Sequence, residues 1–337
     1  MLIYPVFPRG AYNYPMKILI TGGAGFIGSH LVDHLITKGD QVIVLDNLSG
    51  SSNNNLMSQN KSTNLEIVNG SILDQELVTK LMSGVTQCYH LAAALGVEKI
   101  NSDPLKSLEV NLKGSEIVLK AAANQGVRTL LASSSEVYGK NPNMPLSEES
   151  DRVLGSPQIA RWSYSEAKAM DELYAFELSK LNSFPVTIAR FFNTVGPRQS
   201  GSYGMVLPRF VKAALSDQPL TVYGDGTQSR SFCSVKDAVI AIDLLMASGK
   251  SVRHAFNIGS SIEISVNELA QKVIKLTNSS SKLVYKKHSE VFGDHFEEPQ
   301  RRVPDILKIK KVVGWQPKQS LDEVIVEIAE YLKTNDA

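Results

Sequence analysis

A short apolar run, Lys17-Ile18-Leu19-Ile20-Thr21, passes directly into Gly22-Gly23-Ala24-Gly25-Phe26-Ile27-Gly28 and then into the amphipathic stretch Gly28–Gly39. No other feature of the chain constrains its fold as strongly. An apolar run, a glycine-rich turn and a segment with helical periodicity read as strand, turn and helix. Glycines at such a turn let the backbone bend tightly and come close to a bound group. The alternation continues through Gln41–Asp46, Leu65–Gly70, a helix near Gln75–Met82, Gln87–Ala93, a long helix from about Leu105 to Asn124, and Arg128–Ser135. Strands rich in Val, Ile and Leu, without polar alternation, suit a sheet covered on both faces. The chain is therefore predicted to be an α/β protein built on a doubly wound parallel sheet.

After about Phe191 the rhythm loosens into Gly196–Gly204 and Val222–Arg230, and alternation resumes in Val235–Leu245 and Ala255–Gly259. Residues 16–190 are thus expected to form a dinucleotide-binding domain to which 234–260 return, with 191–233 and 261–337 making a smaller, interleaved region that holds the second ligand. Residues 1–15 read as a loose N-terminal extension, with Met16 as an alternative start, and the polar stretch Ser49–Asn55 as an exposed loop.

Composition narrows the function. A net charge of +1, without a long Lys/Arg run, gives no positive field to follow a phosphate backbone, so nucleic acid is not an expected partner. Cys88 and Cys233 stand far apart with no Cys/His cluster near them, which argues against a disulfide framework or zinc site and fits a reducing cytosol. No apolar stretch approaches the roughly 18 residues of a membrane span.

Two motifs carry chemistry. Gly23 to Gly28 spell GxGxxG between a strand and a helix, the context in which a pyrophosphate sits on the helix amino end. Asp46 closes the second strand, about twenty residues on, where a carboxylate accepts both ribose hydroxyls and repels a 2′-phosphate. With no arginine beside it, NAD is expected rather than NADP. Further along, Tyr164 and Lys168 stand four residues apart and share a helix face. A nearby cation lowers a phenol's pKa, so Tyr164 is expected to be the base that takes a hydroxyl proton while hydride leaves for the nicotinamide. Taken alone, such a pair is usually a surface contact; its place after a GxGxxG sheet changes that reading.

From Met16 to the C-terminus the chain resembles the extended short-chain dehydrogenase/reductase family, and within it the nucleotide-sugar epimerases, dehydratases and decarboxylases. The resemblance rests on TGGAGFIG, VLDNLS, HLAA, Asn111-x-x-Gly114, SSSEVYG, YSEAK, FFNTVGPR, LTVYGDGTQSR, FNIG, RRVPDI and GWQP, in the family's order. It implies a Rossmann-type sheet with a smaller C-terminal substrate-binding region. It places the dinucleotide against Gly22, Gly25, Phe26, Ile27, Gly28, Asp46, Asn47, Leu91, Ala92, Asn111, Tyr164 and Lys168. It also puts Asp74 on the adenine side, although Ser71 departs from the acidic residue many relatives carry there. Ser134 and Ser135 are both candidates for the hydroxyl that meets the reacting sugar oxygen. Around the nucleotide it places Asn193, Leu220, Val222, Tyr223, Arg230, Arg302 and Asp305, with arginine suited to clamp a diphosphate. The implied substrate is a nucleotide-sugar, with UDP the expected carrier, and the implied assembly a homodimer through paired helices.

Three reactions stay open, all beginning with oxidation of a sugar hydroxyl and all returning NAD within the cycle. The order of preference is 4-epimerisation of a hexose or hexuronate, decarboxylation of a hexuronate, and 4,6-dehydration. Epimerisation needs no further carboxylate, whereas Glu136 matches the acidic residue of the dehydratases and decarboxylases. Arg161-Trp162-Ser163-Tyr164 and the Arg302 segment look like the decarboxylase group, where an arginine lies near the substrate carboxylate. Ala93–Val97 departs from that group's usual proline-bearing loop. A non-catalytic NAD-binding regulator on the same fold is the reading from a different class, and retention of Tyr164 and Lys168 argues against it.

Overall fold

The protein is described by a computed structural model covering residues 15–50, 53–59, 62–94, 103–201, 205–287, 290, 297 and 299–335. Residues 1–14 of the N-terminal extension and the 95–97 part of the loop compared above lie outside these residues. The strands are β1 (Lys17–Thr21), β2 (Gln41–Asp46), β3 (Leu65–Asn69), β4 (Gln87–His90), β5 (Arg128–Ser134), β6 (Val186–Phe191), β7 (Thr194–Val195), β8 (Leu220–Tyr223), β9 (Ser229–Ser231), β10 (Cys233–Ser234), β11 (Ala255–Ile258), β12 (Glu263–Ser265) and β13 (Leu283–Lys286). The helices are α1 (Phe26–Thr37), α2 (Gln75–Met82), α3 (Pro104–Asn124), α4 (Ser163–Asn182), α5 (Val206–Leu215), α6 (Val235–Ala247), α7 (Val266–Thr277), α8 (Leu307–Val313) and α9 (Leu321–Asn335). None of the described helices is long and apolar enough to cross a membrane.

Seven parallel strands form the main sheet in the order β11-β6-β5-β4-β1-β2-β3. The strands inside the sheet bury both faces, which is why their sequences show apolar runs without polar alternation, whereas the edge strand β3 is exposed at Glu66, Ile67 and Asn69. Ile18, Ile20, Val42 and Val44 pack with Leu31, Leu35, Val239 and Ile242 of α1 and α6, while Leu19, Ile43, Leu45 and Cys88 pack on the opposite face with Val78, Val118 and Ala175 of α2, α3 and α4. Helix starts follow local chemistry. Asp74 caps α2 by accepting the Leu77 amide, Asp103 caps α3 ahead of Pro104, and Ser265 with Glu268 makes a capping box on α7.

A third core joins α5, α7 and α9 through Leu207, Phe210, Leu269 and Ile325, with β8 beneath them. One expectation is corrected. Ile309 and Trp315, assigned from sequence to the smaller region, pack in the core of the large sheet, and Trp315 Nε1 donates to the Asp237 carbonyl at 3.0 Å. Of the stretch read as an exposed polar loop, Ser49 and Gly50 are exposed, and its end enters a 3-10 helix at Asn53–Gln59, whose Leu56, just past the stretch, is fully buried. An apolar side chain in a polar run is covered here by tertiary packing, which local composition does not reveal. Strand order reverses between β1 and β4, so the carboxyl ends of these strands open a crevice, the place where ligands bind in open α/β sheets.

Candidate functional site

The first wall of the crevice is backbone. Gly22 takes φ 74°, and a Cβ there would lie 2.7 Å from the Ala92 nitrogen. A Cβ at Gly28 would lie 2.2 Å from the Gly22 carbonyl oxygen and 2.7 Å from the Gly23 Cα, so both positions admit only glycine without a shift of the turn. Gly25 begins α1 with no side-chain cap, and the first turn holds no acidic residue, which leaves the amides at Phe26 and Ile27 for an incoming anion. Asp46 stands at the lip of this turn, its carboxylate accepting the Ala24 amide at 3.0 Å and the Leu48 amide at 2.8 Å. Leu91 and Ala92 follow β4, with their amides bonded to the Thr21 carbonyl and hydroxyl at 3.0 and 3.3 Å.

Other expected cofactor contacts have structural work. Asn111 is buried and holds both backbone groups of Ala94, so it shapes the loop after β4. Asp74 is exposed and spends an oxygen on the α2 cap; Asn47 is exposed and accepts the Ser49 amide.

The second wall joins β5 to α4. The chain leaves β5 through a 3-10 turn at Ser135–Tyr138, and Ser165 Oγ donates to the Glu136 carbonyl at 2.6 Å, which ties this turn to the start of α4 beside Tyr164. Ser134 is half-buried and accepts the Glu136 amide, whereas Ser135 is buried at 3% exposure. Lys168 is also buried, with Nζ 3.2 Å from Asp171 Oδ2. The expectation of a lowered phenol is corrected here. Burial first, then the charges of Glu136 and Asp171, push Tyr164 well above the ordinary tyrosine range; Lys168 is paired with Asp171, a carboxylate that sequence spacing did not bring into account.

Glu136 is the most heavily contacted of the candidates. Arg161 approaches it as a fork, Nη1 to Oε2 at 2.7 Å and Nη2 to Oε1 at 3.0 Å, and Arg302 Nη1 reaches Oε1 at 2.5 Å. Burial raises a carboxyl's pKa, but the two guanidiniums outweigh it and hold Glu136 far below the usual carboxylate range. Arg302 is 5% exposed and its Nε has no hydrogen-bond partner among the described residues. Arg161 rests against the Trp162 ring at 5.4 Å, and the Trp162 indole donates to Glu297 at 3.0 Å.

On the far side, Asn193 takes φ 29° and donates to the Ser231 carbonyl at 2.9 Å. Arg230 is buried and donates to the Ser229 and Gln300 carbonyls; Asp305 accepts the Leu307 amide. The side chains of Leu220 and Val222 are fully buried in the small core, so it is their backbone that can face a ligand. Tyr223 is half-buried, with the Arg209 guanidinium stacked over its ring at 4.3 Å. The sequence reading picked out neither Arg209, Asp171 nor His90. It noticed the segment that carries Arg161 but gave that residue no role, because its meeting with Arg302 depends on tertiary structure.

Residues 19–328 match the family model described as GDP-mannose 4,6 dehydratase. The chain is 39% identical to a UDP-N-acetyl-alpha-D-glucosaminuronate decarboxylase from Bacillus cytotoxicus, over 94% of this chain and 98% of that one. It is 36% identical to UDP-glucuronic acid decarboxylase 4 of Arabidopsis thaliana, over 93% of this chain and 68% of that one. Among solved structures, it superposes on UDP-glucuronic acid 4-epimerase from Bacillus cereus, in complex with UDP-glucuronic acid and NAD, with a TM-score of 0.85 at 27% identity, covering 95% of this chain and 99% of that one.

Proposed function

The chain belongs to the GDP-mannose 4,6-dehydratase family, within the extended short-chain dehydrogenase/reductases, and from that premise we propose that it decarboxylates a UDP-linked hexuronate through a transient 4-keto sugar. Membership makes it an NAD-dependent enzyme. The observation that carries the substrate is the pair of buried guanidiniums, Arg161 and Arg302, converging on one carboxylate next to Tyr164. A neutral hexose offers this pair no anion. A hexuronate does, and the Nε–H of Arg302, without a partner among the described residues, leaves donor capacity beyond what Glu136 uses.

The residues present fit the dinucleotide. The bare backbone at Gly22 and Gly28 and the uncapped start of α1 would hold the pyrophosphate, and Asp46 a ribose. Bound there, NAD would supply a hydride acceptor for C4 of the sugar and a hydride donor later in the same cycle. With the positive charge of bound NAD to counter the burial that raises its phenol, Tyr164 would accept the C4 hydroxyl proton, and Ser134, the more open of the two serines, would bond the same oxygen. The C4 ketone stands β to the C6 carboxylate, so the C5–C6 bond breaks with its electron pair moving into the carbonyl, and carbon dioxide leaves. C5 then takes a proton that comes from solvent, since the ionised Glu136 has none to give, the ketone is reduced, and Tyr164 returns its proton. Because Glu136 already shares the charge of both arginines, the substrate carboxylate is steered without being neutralised, and its electrons stay available for bond breaking.

This reverses the order in which sequence placed epimerisation and decarboxylation. Hexuronate 4-epimerisation is the second reading, favoured by the likeness to the Bacillus cereus enzyme. Incubation with UDP-glucuronate labelled with carbon-13 at C6 separates the two: labelled carbon dioxide supports decarboxylation, and label kept in a hexuronate product contradicts it. We also propose a homodimer through α3 and α4, where Leu105, Leu112, Met170, Leu173 and Leu181 are exposed.

A further inference from the structure

Beneath the site a buried line of hydrogen bonds runs from the dinucleotide turn to the catalytic helix. The Ala92 amide donates to Thr21 Oγ1, which lies 2.7 Å from His90 Nδ1; His90 Nε2 lies 3.1 Å from Ser115 Oγ. Ser115 Oγ donates to Asp171 Oδ2 at 3.0 Å, and Lys168 Nζ donates to the same oxygen at 3.2 Å. The direction of the line follows from its members. Ser115 has one proton and gives it to the carboxylate, so it accepts from His90 Nε2–H, which leaves Nδ1 bare to accept the Thr21 hydroxyl. Burial, with the charge of Lys168, lowers His90 to about 3, so the imidazole is neutral as this pattern requires. All the donors on the line point towards Asp171.

Thr21, His90, Ser115 and Asp171 are each no more than 3% exposed, so the line does not draw protons from bulk water along its length. Its effect is to fix one carboxylate against one ammonium. We infer that Asp171 is a positioning residue of the catalytic centre, which holds Lys168 in place, offsets its charge and so sets how readily Tyr164 gives up its proton; this rests on Tyr164 being the base of the proposed reaction. The other charged groups facing Tyr164 and Lys168 are already matched. Glu136, from the turn after β5, is clamped by Arg161 and Arg302, and Glu172, on α4, is paired with Arg190 of β6 at 2.6 Å. His90, from β4, is neutral. Asp171 is thus the charge that one substitution removes without disturbing the arginine clamp.

The test is the pH dependence of hydride transfer, followed as nicotinamide reduction in a single turnover with UDP-glucuronate. In Asp171→Asn the ammonium is left unopposed, phenolate becomes easier to form, and the acid limb moves to lower pH by about one unit. Asp171→Ser, the second neutral variant, shifts the limb the same way even where the asparagine variant does not fold. Asp171→Glu keeps the charge and leaves the limb in place while kcat falls. A folded neutral variant whose limb stays or moves upward overturns the inference, including one that loses kcat equally at every pH. So does a glutamate variant whose limb moves as far as asparagine's. The same shift is read without turnover in the tyrosinate difference absorbance of NAD-loaded protein against Tyr164→Phe, so a wrong substrate assignment is distinguishable from a wrong role for Asp171.

Discussion

Glu136 shows how much a single residue can hold. Two buried arginines close on its carboxylate, and removing one member of a buried ion cluster leaves charge without compensation. Glu136→Gln is therefore expected to destabilise the fold by about 3 kcal/mol at neutral pH, measured by urea unfolding. The pH dependence follows from the direction of the shift. A carboxyl held low in the folded state contributes stability that is complete above its unfolded value, about 4.3, and is lost as pH falls through the lower folded value. The gap between wild type and Glu136→Gln should be constant from neutral to mildly alkaline pH and narrow only in acid. A gap that widens in acid would show that the carboxylate is not held by the arginines. At this scale the sequence was legible where spacing along one helix suffices, as for Tyr164 and Lys168. It did not show that the side chains of Leu220 and Val222 face the small core, because which side of a short strand faces the core depends on what packs there, and it gave no sign of Asp171 opposing Lys168.

At the scale of elements, the glycine-rich turn is the part that tolerates least change. The Cβ of Gly28→Ala would meet backbone rather than a flexible side chain, so the turn itself must move. NAD affinity is expected to fall at least tenfold, about 1.4 kcal/mol, with the Tm of the unliganded protein also lowered; calorimetric titration with NAD checks this, and an unchanged Kd would refute the close-approach argument. The main-sheet strands and the helices around them were legible because apolar runs and helical periodicity are local signals. The 3-10 helix at Asn53–Gln59 was not, since only Leu56, buried against α1 and β2, distinguishes it from a polar loop.

For the whole molecule, the doubly wound sheet followed from the order of its elements, but the path of the C-terminal segment did not. Trp315 returns to the large core through a contact with Asp237 whose partners are 78 residues apart. Apolar side chains exposed on α3 and α4 make the proposed dimer testable: Leu173→Glu should convert a species of twice the chain mass in light scattering to a single chain, and a monomeric wild type would remove the proposal. The central claim concerns the reaction, and it is tested most directly by proton NMR of the purified, NAD-loaded protein with UDP-glucuronate in deuterated water and no added reductant. The expected product is a UDP-pentose carrying deuterium at C5 and the original hydrogen at C4. A UDP-hexuronate isomer with its C5 hydrogen intact, or no conversion without a stoichiometric reductant, would contradict it.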